Sequence, residues 1–306
     1  MTENNFTYIK KIICCPYCHG DLEWKKKFAR CIKCLDKYPI QENSIQIDLR
    51  LKRPKKITTT QIIDVNVNSF NNNGSGGVHS FEFGYEKNEN GRKFNSIPIN
   101  YKKPVEKLYS WLPEKEGFAL DIGSAKDKKN RHYLESAGFS YISADYDSPE
   151  AKILLDAHSL PFKDKSIKCI TNLAVMEHIE HPHIAGREFH RVLERDGRML
   201  GVVAFLQQQH MSSWYHFTHF GVYSWLCNSG FKPHKIKIDA ADKRYHGIYN
   251  TASLIGLPKW IKKTLLDPIY IFHRLLWWIY QKKSKQDLEK KRHLQTTGAL
   301  HFIATK

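Results

Sequence analysis

Five of the seven cysteines fall within the first 34 residues, as Cys14, Cys15, Cys18, Cys31 and Cys34. Cys15-Pro-Tyr-Cys18 and Cys31-Ile-Lys-Cys34 form two CxxC pairs with 12 residues between them. Each pair can present two thiolates from a tight turn, and two pairs at this spacing suit one tetrahedral ion better than redox chemistry. The pattern therefore points to one structural Zn2+ held by Cys15, Cys18, Cys31 and Cys34. Cys14 stands next to Cys15 and can exchange with it, although the proline after Cys15 favours Cys15. The alternating Ile45-Gln-Ile47-Asp-Leu49 reads as a short strand closing a small N-terminal ribbon.

A metal-bound segment of about 50 residues leaves most of the 306-residue chain for a second, larger unit. With 41% hydrophobic and 12% aromatic residues the chain is neither a disulfide-stapled peptide nor disordered. No apolar run approaches the roughly 18 residues of a membrane span. The N-terminal MTENNFTYIKKIICC lacks the apolar core and cleavage site of a secretory signal, so a reducing, cytoplasmic setting is expected. The formal charge of +17 is uneven. Residues 119–239 carry 15 basic against 14 acidic side chains, whereas residues 240–306 carry 13 against 4.

The expected organisation is a ribbon over 1–50, a linker and cover segment over 51–103, and a catalytic unit over 104–306 with a basic helical insertion at 240–296. The linker contains the Asn/Gly/Ser run after Val67 and the aromatic group Phe81, Phe83 and Tyr85. From Val105 helices and strands alternate: a helix at 105–112, strands at 118–122, 141–144, 153–155 and 167–172, a helix at 184–193, and a strand at 199–205. Such alternation implies a parallel sheet covered on both faces. Asp121-Ile-Gly123-Ser124-Ala125 follows the first of these strands, where a glycine turn brings backbone N–H groups close to a ligand at the carboxyl edge. Asp145, with Tyr146, ends the next strand 24 residues on, placed to accept both hydroxyls of a ribose or to be an ordinary loop acid. Asp156-Ala157 ends the third, where a carboxylate can accept from an exocyclic amine.

Two resemblances follow from these segments. CPYCHGDLEW, CIKC and KYPI, within residues 10–50, resemble the zinc ribbon of the small activating subunit of tRNA and protein methyltransferases, which is also fused to some bacterial methyltransferases. Glu42-Asn43-Ser44-Ile45 replaces the glycine and proline usual there. Leu160-Pro-Phe-Lys-Asp-Lys-Ser-Ile, Val175-Met-Glu-His-Ile179 and Arg191-Val-Leu-Glu-Arg-Asp-Gly197 resemble, in order and spacing, the type 11 group of class I S-adenosylmethionine-dependent methyltransferases over residues 105–240. This second resemblance implies an α/β fold with a Rossmann-like seven-stranded sheet. It implies that Asp121, Gly123, Ser124 and Ala125 form the methionine-side loop, Asp145 and Tyr146 hold the ribose, Asp156 and Ala157 flank adenine, and Asn172 and Leu173 pass near the sulfonium. Ala125 and Asp127 replace the second and third glycines of the usual loop, and Lys168 replaces the usual aspartate before the fourth strand.

Beyond the fifth strand, Gln207-Gln-Gln-His210-Met-Ser-Ser-Trp-Tyr-His216 leaves the same sheet edge. A hydroxyl or amine acceptor benefits from a base that titrates near neutrality. His210 is the first candidate, then His178 and His216. Residues 230–239 and 298–304 read as the last two strands, which the methyltransferase resemblance implies pair antiparallel. Between them, residues 257–292 combine Trp277, Trp278, Tyr280 and helically spaced leucines and isoleucines with flanking lysines. That composition suits an anionic membrane surface or a hairpin capping the site. The expected function is methyl transfer to an O or N atom of a small-molecule, glycan or lipid-linked acceptor, peripheral on the inner membrane face. The rivals are an RNA methyltransferase, disfavoured by the near-neutral catalytic unit, and a non-catalytic adaptor with a degenerate cofactor loop.

Overall fold

The computed structural model describes residues 3–41, 46–57, 109–112, 116–124, 128–207, 212–241, 256–284 and 293–306. Ala125, Asp127 and His210 lie outside the described residues, as do 58–103, most of the helix expected at 105–112, and parts of the 240–296 insertion.

The ribbon starts with helix α1 (Glu3–Ile12), followed by β1 (Leu22–Trp24), β2 (Phe28–Cys31), β3 (Lys37–Gln41) and β4 (Gln46–Asp48). The catalytic unit follows as β5 (Gly117–Ile122), α2 (Lys128–Ser136), β6 (Phe139–Asp145), β7 (Ile153–Leu154), β8 (Ile167–Leu173), α3 (Pro182–Val192), β9 (Leu193–Ala204), α4 (His219–Asn228), β10 (Ile236–Ala240), α5 (Lys259–Ser284) and β11 (Ala299–Thr305). Strand apolarity explains the layering. Leu120, Ile142, Ile170 and Leu200 are fully buried, because a parallel sheet packed on both faces leaves its central strands no wet side.

Strand order is β1-β2-β3-β4-β7-β6-β5-β8-β9-β11-β10. From β7 to β10 this is the seven-stranded class I arrangement, with β11 antiparallel to both β9 and β10 as the sequence leads one to expect. Lys168 on β8 keeps its aliphatic stem against Gly117 and its ammonium 3.9 Å from Glu194.

The ribbon is not a separate module. Its last strand pairs antiparallel with β3 through Ile40↔Ile47 and parallel with β7 through Ile47↔Ile153 and Asp48↔Leu154. The strand expected to close the ribbon thus joins it to the catalytic sheet, and among the described residues eleven strands run continuously. Ile9, Ile13, Tyr38, Ile47 and Leu49 share one buried cluster with Ile153, Leu160, Phe162 and Met176. A sequence pattern does not reveal this, because an edge strand of either unit looks the same until its partner is known.

The 159–163 loop is the other half of this junction. Cys14 N–H donates to the Pro161 carbonyl (2.9 Å), and Lys163 N–H to that of Ile12 (2.8 Å). Ser159 Oγ donates to the Pro16 carbonyl (2.5 Å) and accepts from Lys55 Nζ (2.8 Å). Arg191 holds the loop from behind, donating to the carbonyls of Leu160 (2.9 Å) and Phe162 (2.7 Å) and to Glu188 Oε1 and Oε2 (2.8 and 2.7 Å).

Candidate functional site

The four expected sulfurs converge, all lying within 4.8 Å of one another. Cys15 Sγ is 3.5 Å from Cys34 Sγ, and Cys18 Sγ is 3.4 Å from Cys31 Sγ, too far for disulfides. Burial opposes ionisation of the Cys31 thiol, yet backbone N–H donors from Cys34 and Lys33 bring it down to about 7. Gly20 leaves room here, since a Cβ would stand 3.3 Å from the sulfurs of Cys18 and Cys31. Cys14 is turned away. It is buried against the 159–163 loop, burial pushes its thiol up to about 12, and the choice between Cys14 and Cys15 is decided for Cys15.

At the carboxyl edge of β5, Asp121 is buried and points into the protein. Its Oδ1 accepts from Thr171 Oγ1 (2.7 Å), and its Oδ2 from Tyr141 Oη (2.9 Å) and Asn130 Nδ2 (3.4 Å). Burial, then the neighbouring Asp121 charge, holds the Tyr141 phenol well above its ordinary range, so it stays a donor. Asp121 therefore ties β5, β6, β8 and α2 together beneath the loop. Gly123 has φ +72°, and Val175 occupies the place a Cβ would take, so this turn requires glycine. The N–H groups of Gly123 and Ser124 both donate to the Ala144 carbonyl (2.9 and 3.1 Å). These two bonds lock the turn onto β6.

Asp145 sits half-buried at the rim, where its Oδ1 accepts from the N–H groups of Asp147 (3.0 Å) and Ser148 (3.2 Å). Tyr146 beside it is exposed. Asp156 Oδ1 accepts from the His158 N–H (2.9 Å) and pairs with His158 Nδ1 (2.7 Å). Burial opposes its ionisation, but these bonds hold Asp156 below the usual carboxylate range. Ala157 follows, packed at the margin of the core. Asn172, at the end of β8, is fully buried, and among the described residues neither its Nδ2 nor its Oδ1 has a hydrogen-bond partner. Leu173 lies next to it, and Ala174 is forced to φ +56°, strained backbone of the kind that gathers at functional sites.

His178 closes a single 3-10 turn, Met176–His178, after β8. The segment bearing His216 is fastened to the same turn, since Trp214 and Tyr215 N–H donate to the Glu177 carbonyl (2.6 and 3.2 Å). The structure thus brings the segments of two of the three candidate histidines to one edge, with His178 half-buried and His216 exposed. The braces Thr171, Tyr141 and Asn130 belong to no sequence motif, so nothing in the spacing of the chain points to them.

These residues fit a nucleoside-bearing sulfonium. A glycine-only turn, a rim carboxylate and a buried amide awaiting a partner face the edge where the central strands end. Residues 116–201 match the family model described as a methyltransferase domain. The chain carries a class I methyltransferase domain. That makes it an enzyme of the S-adenosylmethionine-dependent class. No curated protein matches the chain. Among solved structures, the complex between the Haloferax volcanii Trm112 methyltransferase activator and a methyltransferase is 14% identical, with a TM-score of 0.43 over 66% of this chain and 88% of that one. Haemonchus contortus phosphoethanolamine N-methyltransferase 2 with S-adenosyl-L-methionine is 15% identical, at a TM-score of 0.42 over 66% of this chain and 52% of that one. The YcgJ protein of Bacillus subtilis is 15% identical, at 0.40 over 66% and 97%.

Proposed function

We propose that the chain transfers a methyl group from S-adenosylmethionine to an oxygen or nitrogen of a small-molecule, glycan or lipid-linked acceptor. The observation that carries this reading is the buried Asn172 amide, unpartnered beside the strained Ala174 and across the same edge from Asp145. A buried amide without partners costs about 1–3 kcal/mol, a cost that a polar ligand at this edge relieves. When bound, S-adenosylmethionine supplies an electrophilic methyl on a sulfonium. Asp145 holds the ribose hydroxyls, Asp156 and Ala157 flank the adenine, and Asp121 keeps the strand ends in register. His178 and His216 stand where a base can take the acceptor's proton, and His210 remains the third candidate for that role. Calorimetric titration with S-adenosylhomocysteine tests the reading, with saturable binding expected. Absence of binding would leave the non-catalytic adaptor in its place.

The same proposal assigns one Zn2+ to Cys15, Cys18, Cys31 and Cys34 as a closed structural site. It also places the enzyme in the cytoplasm against an anionic membrane, supported by α5. Among the described residues no helix is long and apolar enough to cross a membrane. Yet Trp260, Leu265, Ile269, Ile271, Phe272, Leu275 and Trp278 on α5 are each about half exposed or more. Leu266, Leu276 and Trp277 are half-buried instead, and Trp277 leans on His293 with ring centroids 6.1 Å apart. Lysines at 259, 262, 263, 282 and 283 border the apolar stretch. Each basic residue near an anionic surface contributes about 1 kcal/mol, attenuated by salt. Co-sedimentation with anionic vesicles at low salt is expected to retain the wild type and to lose a Phe272→Ala/Trp278→Ala variant. Preference for structured RNA over vesicles would favour the RNA methyltransferase.

A further inference from the structure

The ribbon's last strand does more than extend the sheet, because the residues at its two ends grip the loop that follows β6. Gln46 Nε2 reaches the carbonyls of Ala151 (2.6 Å), Ser148 (3.2 Å) and Pro149 (3.3 Å). Past the other end of β4, Arg50 is fixed by a bidentate pair, with Nε on Asp48 Oδ1 (3.0 Å) and Nη2 on Asp48 Oδ2 (3.1 Å). The remaining arm of the fork, Nη1, donates to the Tyr146 carbonyl (3.3 Å) and to Asp147 Oδ1 (3.4 Å). The same guanidinium lies 5.8 Å from the centroid of the exposed Tyr146 ring.

Those contacts converge on one carboxylate. Asp145 Oδ1 takes its orientation from the N–H groups of Asp147 and Ser148, the first of which Arg50 holds through its side chain and the second of which Gln46 holds through its carbonyl. A planar fork with three donor directions suits this task, whereas an ammonium offers one point of charge.

We propose that Arg50, although outside the methyltransferase domain, is a positioning residue for the cofactor: by clamping Tyr146 and Asp147 it presets the Asp145 carboxylate for the ribose of an adenosine-bearing ligand. This rests on the S-adenosylmethionine reading above. Arg50 touches no ligand and acts through Asp145, so the two residues should behave as one unit and their losses should not add.

The test is titration of the full-length, zinc-loaded chain with S-adenosylhomocysteine, using wild type, Arg50→Ala, Arg50→Lys, Asp145→Ala and the Arg50→Ala/Asp145→Ala double variant. Zinc content and thermal midpoint are followed in parallel. Arg50→Ala should weaken binding about tenfold, one charge-assisted contact's worth. Arg50→Lys should recover only a minor part of that loss, and the double variant should bind no more weakly than Asp145→Ala alone. Wild-type affinity in Arg50→Ala, or a double variant showing the full product of both losses, overturns the inference while leaving the methyltransferase reading intact. Loss of zinc or a large fall in thermal midpoint in Arg50→Ala also overturns it, since the residue would then be holding the ribbon together. If wild type itself does not bind, the underlying reading falls and this one with it.

Discussion

Asp145 and His190 show how differently single side chains relate to this fold. Asp145 is held by two N–H donors of its own loop and lies half-buried at the rim, outside the hydrophobic core, so its removal leaves that core untouched. Asp145→Ala should therefore weaken S-adenosylhomocysteine binding by about 1–3 kcal/mol with an unchanged thermal midpoint, as calorimetry beside a melting curve will show. His190 is a stability residue. Its ring packs edge-on against Phe231 at 5.1 Å, and burial, aided by the Lys306 ammonium, holds its pKa below the ordinary imidazole value. A base depressed in the folded state adds stability that is fully present above its unfolded pKa and lost as pH falls through that value. Thermal midpoints should drop between about pH 7 and 5, and His190→Gln should flatten part of that slope.

Arg191 on α3 and the apolar stretch of α5 are the elements whose sequence and surroundings diverge most. Arg191 is one residue of the Arg191-Val-Leu-Glu-Arg-Asp-Gly197 run, yet its work is done 27 to 31 positions upstream, on the loop that receives the ribbon. Its side chain is 18% exposed and that of Glu188 15%. Removing one partner of such a pair leaves the other charge desolvated, so Arg191→Ala should cost about 3 kcal/mol in urea unfolding, near the low end for buried pairs because both retain some water. Helix α5 has the opposite character. Its apolar residues were legible as an amphipathic helix from their three- and four-residue steps, but which of them face outward was not. His293 decides that by covering Tyr270 and Trp277, leaving Phe272 and Trp278 exposed.

At the scale of the molecule, the ribbon and the methyltransferase sheet are joined by one continuous sheet and one shared core. Two parallel ladder pairs, a shared core cluster and the Pro16-Ser159-Lys55 contacts join them. The Zn2+ proposed for the four cysteines would consequently support the catalytic unit as well, because β4 pairs with a strand of each. Cys31→Ser should lose the zinc measured by metal analysis and lower the thermal midpoint of the whole chain in a single transition. Two separated transitions would show that the units unfold independently.

Local chemistry was readable from the chain itself. Four cysteines at paired spacing announce their cluster because ligand geometry depends on short loops, and β5 to β9 announce a parallel sheet because burial on both faces demands continuous apolar runs. The final antiparallel pair followed from the family resemblance, which implies it. What only the tertiary structure decided are the relations between distant segments. Asp121 is a buried tie between four elements because Thr171, Tyr141 and Asn130 converge on it. Cys14 stands apart from the four-cysteine cluster because the 159–163 loop claims its backbone. Arg50 reached a loop 96 positions away because β4 pairs with β7. Spacing along a chain carries no record of such meetings, since they are set by which edge strand finds which partner and by the side chains that the pairing then brings within hydrogen-bonding distance.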